Sequence, residues 1–135
     1  MSKTPEQLLC QIAGEIWEKQ GVNTLALDLR PHSTITDFYL VSEGQVDRHV
    51  KSLATAVIDS FAKEGYKPLH IEGWAMSDWI VLDYAFCIVH LFLPQMRHHY
   101  CLEEIWKEAR LVDLHMPREI STSTSLFESE VSNGS

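Results

Sequence analysis

Seven histidines are the first residues in this 135-residue chain to suggest chemistry, because neutral imidazole is a common ligand for divalent metals. His90, His98 and His99 lie close together in sequence. A zinc site draws its ligands from converging spacings, such as the i, i+4 pair of H-E-x-x-H. Adjacent histidines on a helix point about 100° apart, so no metal site is expected here. The carboxylates offer Asp78 with Asp83, or Glu72 with Asp83, as pairs for acid–base work. Strand alternation puts Trp79, Val81 and Asp83 on one face and Ile80, Leu82 and Tyr84 on the other, with Asp78 too near a turn to place. No third carboxylate, serine nucleophile or activated cysteine stands in relation to these groups, so no catalytic constellation is expected. Ser42-Glu43-Gly44 joins a strand to a helix, where phosphate-binding loops occur. It has one glycine and an acidic side chain that repels anions, so a plain turn with Asp47 near the positive helix end is the better reading.

The elements that would position these residues follow from period and punctuation. Thr4, Pro5 and Gln7 form a helix start with a capping box, Leu8, Leu9, Ile12 and Ile16 repeat at helical spacing, and Gly21 is the expected stop. Leu25, Leu27 and Leu29 alternate with Thr24, Ala26 and Asp28, which predicts a strand with one apolar face. Arg30-Pro31-His32-Ser33 makes a turn into a second strand from Asp37 to Ser42, and so short a link predicts an antiparallel pair. A helix follows, with Val46, Val50, Leu53, Ala54, Val57, Ile58 and Phe61 on its buried stripe and Gly65 as terminator. Pro68 to Gly73 reads as a third strand, completing a crossover between parallel strands that is expected to be right-handed.

The most apolar stretch, DWIVLDYAFCIVHLFLP, raises the possibility of a membrane span. It is cut by Asp83, closed by Pro94 and followed by Arg97, His98 and His99, short of the roughly 20 apolar residues a span needs. Two interior strands turning near Ala85 and Phe86 fit it better. A third helix is expected from Arg97 to about Val112, with Leu102, Ile105, Trp106 and Ala109 on its apolar side. Residues 1–116 thus read as one domain, and the Ser/Thr-rich stretch 117–135 as a disordered tail. The N-terminus lacks a basic region followed by an apolar run, so a cytosolic location is expected. Three cysteines without a C-x-x-C leave one over in any disulfide scheme, which suits reduced packing residues. A formal charge of −8 disfavours nucleic acid or an anionic lipid surface as the main contact and suits a basic protein partner.

Five blocks, TDFYLVSEG, DRHVKSLA, PLHIEG, DWIVLDY and IVHLFLPQMRHHYCLEEIWKEA, resemble in order and spacing those of the ribosomal silencing factors, the Iojap family. The resemblance runs from about Leu8 to Leu114. It implies an α/β domain with a mixed five-stranded sheet flanked by helices, related in shape to nucleotidyltransferases but without their catalytic residues. It implies binding to the large ribosomal subunit through ribosomal protein L-fourteen, blocking the small subunit and lowering translation, with no cofactor and no membrane contact. Trp79, Leu82, Asp83 and Tyr84 match the family's W-x-L-L-D-Y pattern and would contribute to the face that meets the ribosomal protein. Glu72 and His90 would border that face, and Arg48, His49 and Lys51 would orient the loop and helix through hydrogen bonds. Ala85-Phe86 departs from the usual Gly-Asp, so the turn there is expected to differ in type or be tightened by another residue. A nucleotide-binding enzyme of nucleotidyltransferase type and a homodimer built on the strand face are the competing readings.

Overall fold

The computed structural model describes residues 3–30, 35–99 and 109–115. Among them run α1 (Pro5–Glu18), β1 (Val22–Asp28), β2 (Phe38–Glu43), α2 (Asp47–Lys63), β3 (His70–Glu72), β4 (Trp79–Asp83), β5 (Cys87–Phe92), a short 3-10 helix (Pro94–His99) and β6 (Arg110–Leu111). They form an α/β domain with a mixed sheet in the order β3-β4-β5-β2-β1-β6. β2 and β5 pair in parallel, and every other neighbouring pair is antiparallel.

Both helices start and stop where local chemistry requires. Thr4 accepts from the Gln7 N–H while the Gln7 side chain accepts from the Thr4 N–H, closing the capping box. At the other end the Gln20 and Gly21 N–H groups bond Trp17 and Ile16 C=O, with Gln20 itself at φ 65°. The left-handed residue is therefore Gln20, one place before the expected Gly21. Gly21 serves a different need: a Cβ there would lie 2.4 Å from the Ile16 side chain and 2.9 Å from Ser42 Oγ. α2 ends in the same motif, with Gly65 at φ 87° and the Tyr66 N–H returning to Phe61 C=O.

The core lies between the helices and one sheet face. Val50, Leu53, Ala54, Val57 and Phe61 of α2 and Leu8, Leu9, Ile12 and Ile16 of α1 meet Ala26, Leu40, Ile80, Leu82, Val89 and Leu91. Each large side chain so sealed contributes roughly 1.5–3 kcal/mol. Val46, expected on the buried stripe, is instead the N-cap residue of α2 and is exposed.

Several expectations need correction. The sheet has six strands, not five, because Arg110–Leu111 pairs with Asp28 and Leu27 of β1. That pairing ends the expected third helix short of Val112, and the described start of that segment is 3-10 rather than α-helical. Residues 100–108, the 31–34 turn and the 117–135 tail lie outside the described residues. β1 buries both faces: Ala26 faces the helices, whereas Leu25 packs with Val41 and Phe92 on the far side and Leu27 is 1% exposed. A bulge between Val22 and Leu25, with Asn23 at φ 54°, sets this register. β2 and β3 run in the same direction, as the crossover required, but β5 and β4 stand between them.

The β4–β5 turn keeps a positive φ without glycine. Ala85 sits at φ 70°, the Phe86 N–H bonds Tyr84 C=O in a γ-turn, and Asp83 Oδ1 accepts from the Ala85 N–H at 2.8 Å. An L-residue pays roughly 1–2 kcal/mol for this conformation, part of which glycine's greater unfolded-state entropy offsets. Ala85→Gly is therefore expected to raise stability by about 0.5–1 kcal/mol, read as a higher urea midpoint at unchanged slope.

Candidate partner-binding face

Alternation along β4 divides its side chains cleanly. Ile80 and Leu82 are fully buried against the helices, while Trp79, Val81 and Asp83 lie half-buried on the opposite face. Register extends that face into rows. His70, Asp83, Ile88, Tyr39 and Leu27 lie side by side, as do Glu72, Val81, His90, Val41 and Leu25, then Trp79, Phe92 and Glu43. Exposure is greatest at the β3 end of these rows. The β3 residues are exposed, the β4 residues half-buried, and Val41 and Phe92 sealed, with Met96 from the 3-10 helix packed against them. The most accessible part is thus the β3–β4 half, carrying Glu72, Asp83, His70, Val81 and Trp79, with Ile88 and Tyr39 half-buried beside it.

The six residues implicated by sequence separate into two groups. Trp79, Asp83, Glu72 and His90 share the outer face, with Glu72 and Asp83 in adjacent rows one strand apart. Leu82 and Tyr84 do not join them. Leu82 has no exposed surface and Tyr84 only 5%, its ring 4.1 Å from that of Phe61. Burial pushes the Tyr84 hydroxyl's pKa upward, and its oxygen has no hydrogen-bond partner among the described residues. Both side chains belong to the core, and a partner meets neither without opening the sheet.

His90 is the most constrained member. It is 8% exposed, and its Nδ1 accepts from Trp79 Nε1–H at 3.1 Å. The two rings stack with centroids 5.7 Å apart, and Tyr39 approaches the imidazole edge-on at 4.8 Å. Burial away from any compensating anion drives the His90 pKa down to about 4, so the ring is neutral at pH 7. With Nδ1 accepting, the ring proton resides on Nε2, which has no partner among the described residues.

The strand-to-helix loop is committed to internal bonds. Glu43 is buried and accepts from Asn23 Nδ2 at 3.1 Å, Gly44 N–H bonds Phe92 C=O, and Gln45 N–H bonds His49 Nδ1. His49 Nε2 reaches the Lys19 carbonyl at 2.7 Å, tying the end of α1 to the start of α2. Arg48 donates its backbone N–H to Asp47, and Lys51 lies over the Trp74 ring at 5.4 Å. The Gly44, Gln45 and Arg48 N–H groups, which an anion cradle would use, are thus already engaged. Cys87 is buried in the core, its thiol pKa pushed up by burial. No cluster of three or more His, Cys, Asp or Glu able to hold a metal occurs among the described residues.

Sequence reasoning missed the neighbourhood of β3. Leu69, Ile71, Trp74 and Met76 are exposed large apolar residues along that edge, beside the acidic face. A three-residue strand is too short to show alternation, and only its register against β4 reveals the arrangement.

Comparison with known proteins gives a consistent set of likenesses. A family model described as "Ribosomal silencing factor during starvation" matches residues 2–133. The ribosomal silencing factor of Bacillus subtilis is 31% identical over 97 residues, covering 72% of this chain and 82% of that protein. That of Zymomonas mobilis is 33% identical over 103 residues, covering 76% and 77%. A crystal structure of a Chromobacterium violaceum protein superposes with a TM-score of 0.74 at 20% identity, over 93% of this chain and 99% of that one, showing the same fold.

Proposed function

The chain belongs to the ribosomal silencing factor family, and from that premise we propose that it binds the large ribosomal subunit through ribosomal protein L-fourteen. By occupying the surface where the small subunit would join, it represses translation without making or breaking a bond. It would act in the cytoplasm. The observation that carries this reading is the joint placement of Trp79, Asp83 and Glu72 on a half-exposed sheet face of a chain with net charge −8. An aromatic anchor beside carboxylates suits a cationic protein surface, where the ring supplies contact area and the charges supply register and association rate.

Asp83 has two duties in this scheme, since one of its oxygens also holds the Ala85 N–H. Asp83→Asn keeps an oxygen for that bond and removes only the charge. Trp79→Ala and Asp83→Asn are each expected to weaken co-sedimentation with purified large subunits roughly ten-fold, the scale of an interface hot spot. Neither should alter the circular dichroism of the free protein. Full retention of affinity by both variants would defeat the assignment of this face. A second copy seated on the same face would compete with the ribosome. Size-exclusion chromatography with and without large subunits reads that competition directly.

A further inference from the structure

We propose that His90 is a positioning residue for Trp79: it fixes the indole in the orientation that the partner meets, and acts on binding through that ring. The inference rests on the docking face proposed above and assigns a role within it. Trp79 stands half-exposed at one corner of the face, and a flexible indole there would lose rotamer freedom on binding. His90 removes that freedom beforehand. Its Nδ1 takes the indole N–H at 3.1 Å and its ring stacks on the indole at 26°, so both the edge and the plane of Trp79 are set. Tyr39, packed edge-on against the imidazole, holds His90 in turn.

Burial supports the indirect role. At 8% exposure His90 has little surface to offer a partner. As a pure packing residue it would be a poor choice, because one buried ring nitrogen goes without a partner among the described residues, a cost that an apolar ring of similar size would not carry. What an imidazole supplies here that a phenyl ring does not is the acceptor for the indole. A consequence concerns specificity. With its N–H turned inward to His90, Trp79 presents ring surface rather than a hydrogen-bond donor, which suits aliphatic stems and cationic heads of Lys or Arg.

A double-mutant cycle separates this role from the alternatives. Affinity for purified large subunits is measured for the unmodified protein, His90→Phe, Trp79→Ala and the double variant, with urea midpoints confirming that each is folded. His90→Phe is expected to weaken binding roughly ten-fold, about what one lost hydrogen bond is worth. In the Trp79→Ala background the same change should alter affinity by less than about two-fold. An equal loss in both backgrounds would overturn the inference, since His90 would then act without Trp79. If Trp79→Ala weakens binding and His90→Phe does not, the inference fails while the docking face stands; if neither weakens it, both fall. The unmodified protein supplies an independent check. Nitrogen-15 NMR at pH 7 should show His90 unprotonated at Nδ1 and protonated at Nε2, and the reverse tautomer would contradict the proposal even if His90→Phe failed to fold.

Discussion

Gly73→Ala is expected to lower stability by roughly 3 kcal/mol, the largest single-residue effect on the sheet edge. Gly73 closes β3 at φ 80°, and a Cβ there would lie 1.9 Å from the Trp79 carbonyl oxygen. The obstacle is backbone, so no side-chain rotation relieves it. An L-residue in the left-handed region costs roughly 1–2 kcal/mol by itself. Separating β3 from β4 to clear the overlap sacrifices ladder hydrogen bonds worth about 1 kcal/mol each. β3 is a short exposed edge strand, so the damage is capped by the free energy of detaching it. Urea unfolding of Gly73→Ala against the unmodified protein measures the effect. Because the carbonyl that must move is that of Trp79, large-subunit binding should fall alongside stability. A variant as stable as the parent would mean that the β3–β4 connection is not packed as described.

The second large effect is the pH dependence conferred by His90. In the unfolded chain its pKa is the ordinary 6.5; in the fold, burial brings it down to about 4. Between those values the unfolded state holds a proton that the native state does not. Stability therefore rises with pH across the window, is complete above about 6.5, and is lost as pH falls toward 4. At about 1.4 kcal/mol per pH unit, the loss reaches roughly 3 kcal/mol by pH 4. His90→Phe removes this contribution, so the difference in unfolding free energy between parent and variant should shift by that amount from pH 7 to pH 4. Carboxylates elsewhere titrate in both proteins and cancel in the difference. A constant difference across the range would show that His90 is not buried as a neutral ring.

What the sequence revealed was what is local. The capping box at Thr4 and Gln7, the apolar stripe of α2, the terminator at Gly65 and the division of β4 into two faces all depend on residues within a few turns of each other. Period and punctuation suffice for these. Three features escape such reading for physical reasons. β6 has two residues, too few for any period, and its partner strand β1 lies more than 80 positions upstream. The leucines of β1 alternate as if for a single buried face, yet both sides of that strand are covered and a bulge resets its register. The turn at Ala85 lacks the glycine that would make a positive φ easy. That φ persists because Asp83 and Tyr84 supply the hydrogen bonds that hold it. Leu82 and Tyr84 show the limit of motif transfer. A shared pattern names positions, and only the pleat decides which of them look outward.

Hydroxyl-radical footprinting of the protein bound to large ribosomal subunits tests the central claim most directly, because it reads side-chain accessibility at named residues. If the β3–β4 face is the docking surface, oxidation of Trp79 and His70 drops on binding, while Trp17 on α1, at the far layer of the domain, reacts as it does in the free protein. Protection of α1 with unchanged reactivity at Trp79 would place the ribosome on the opposite side of the molecule and contradict the assignment.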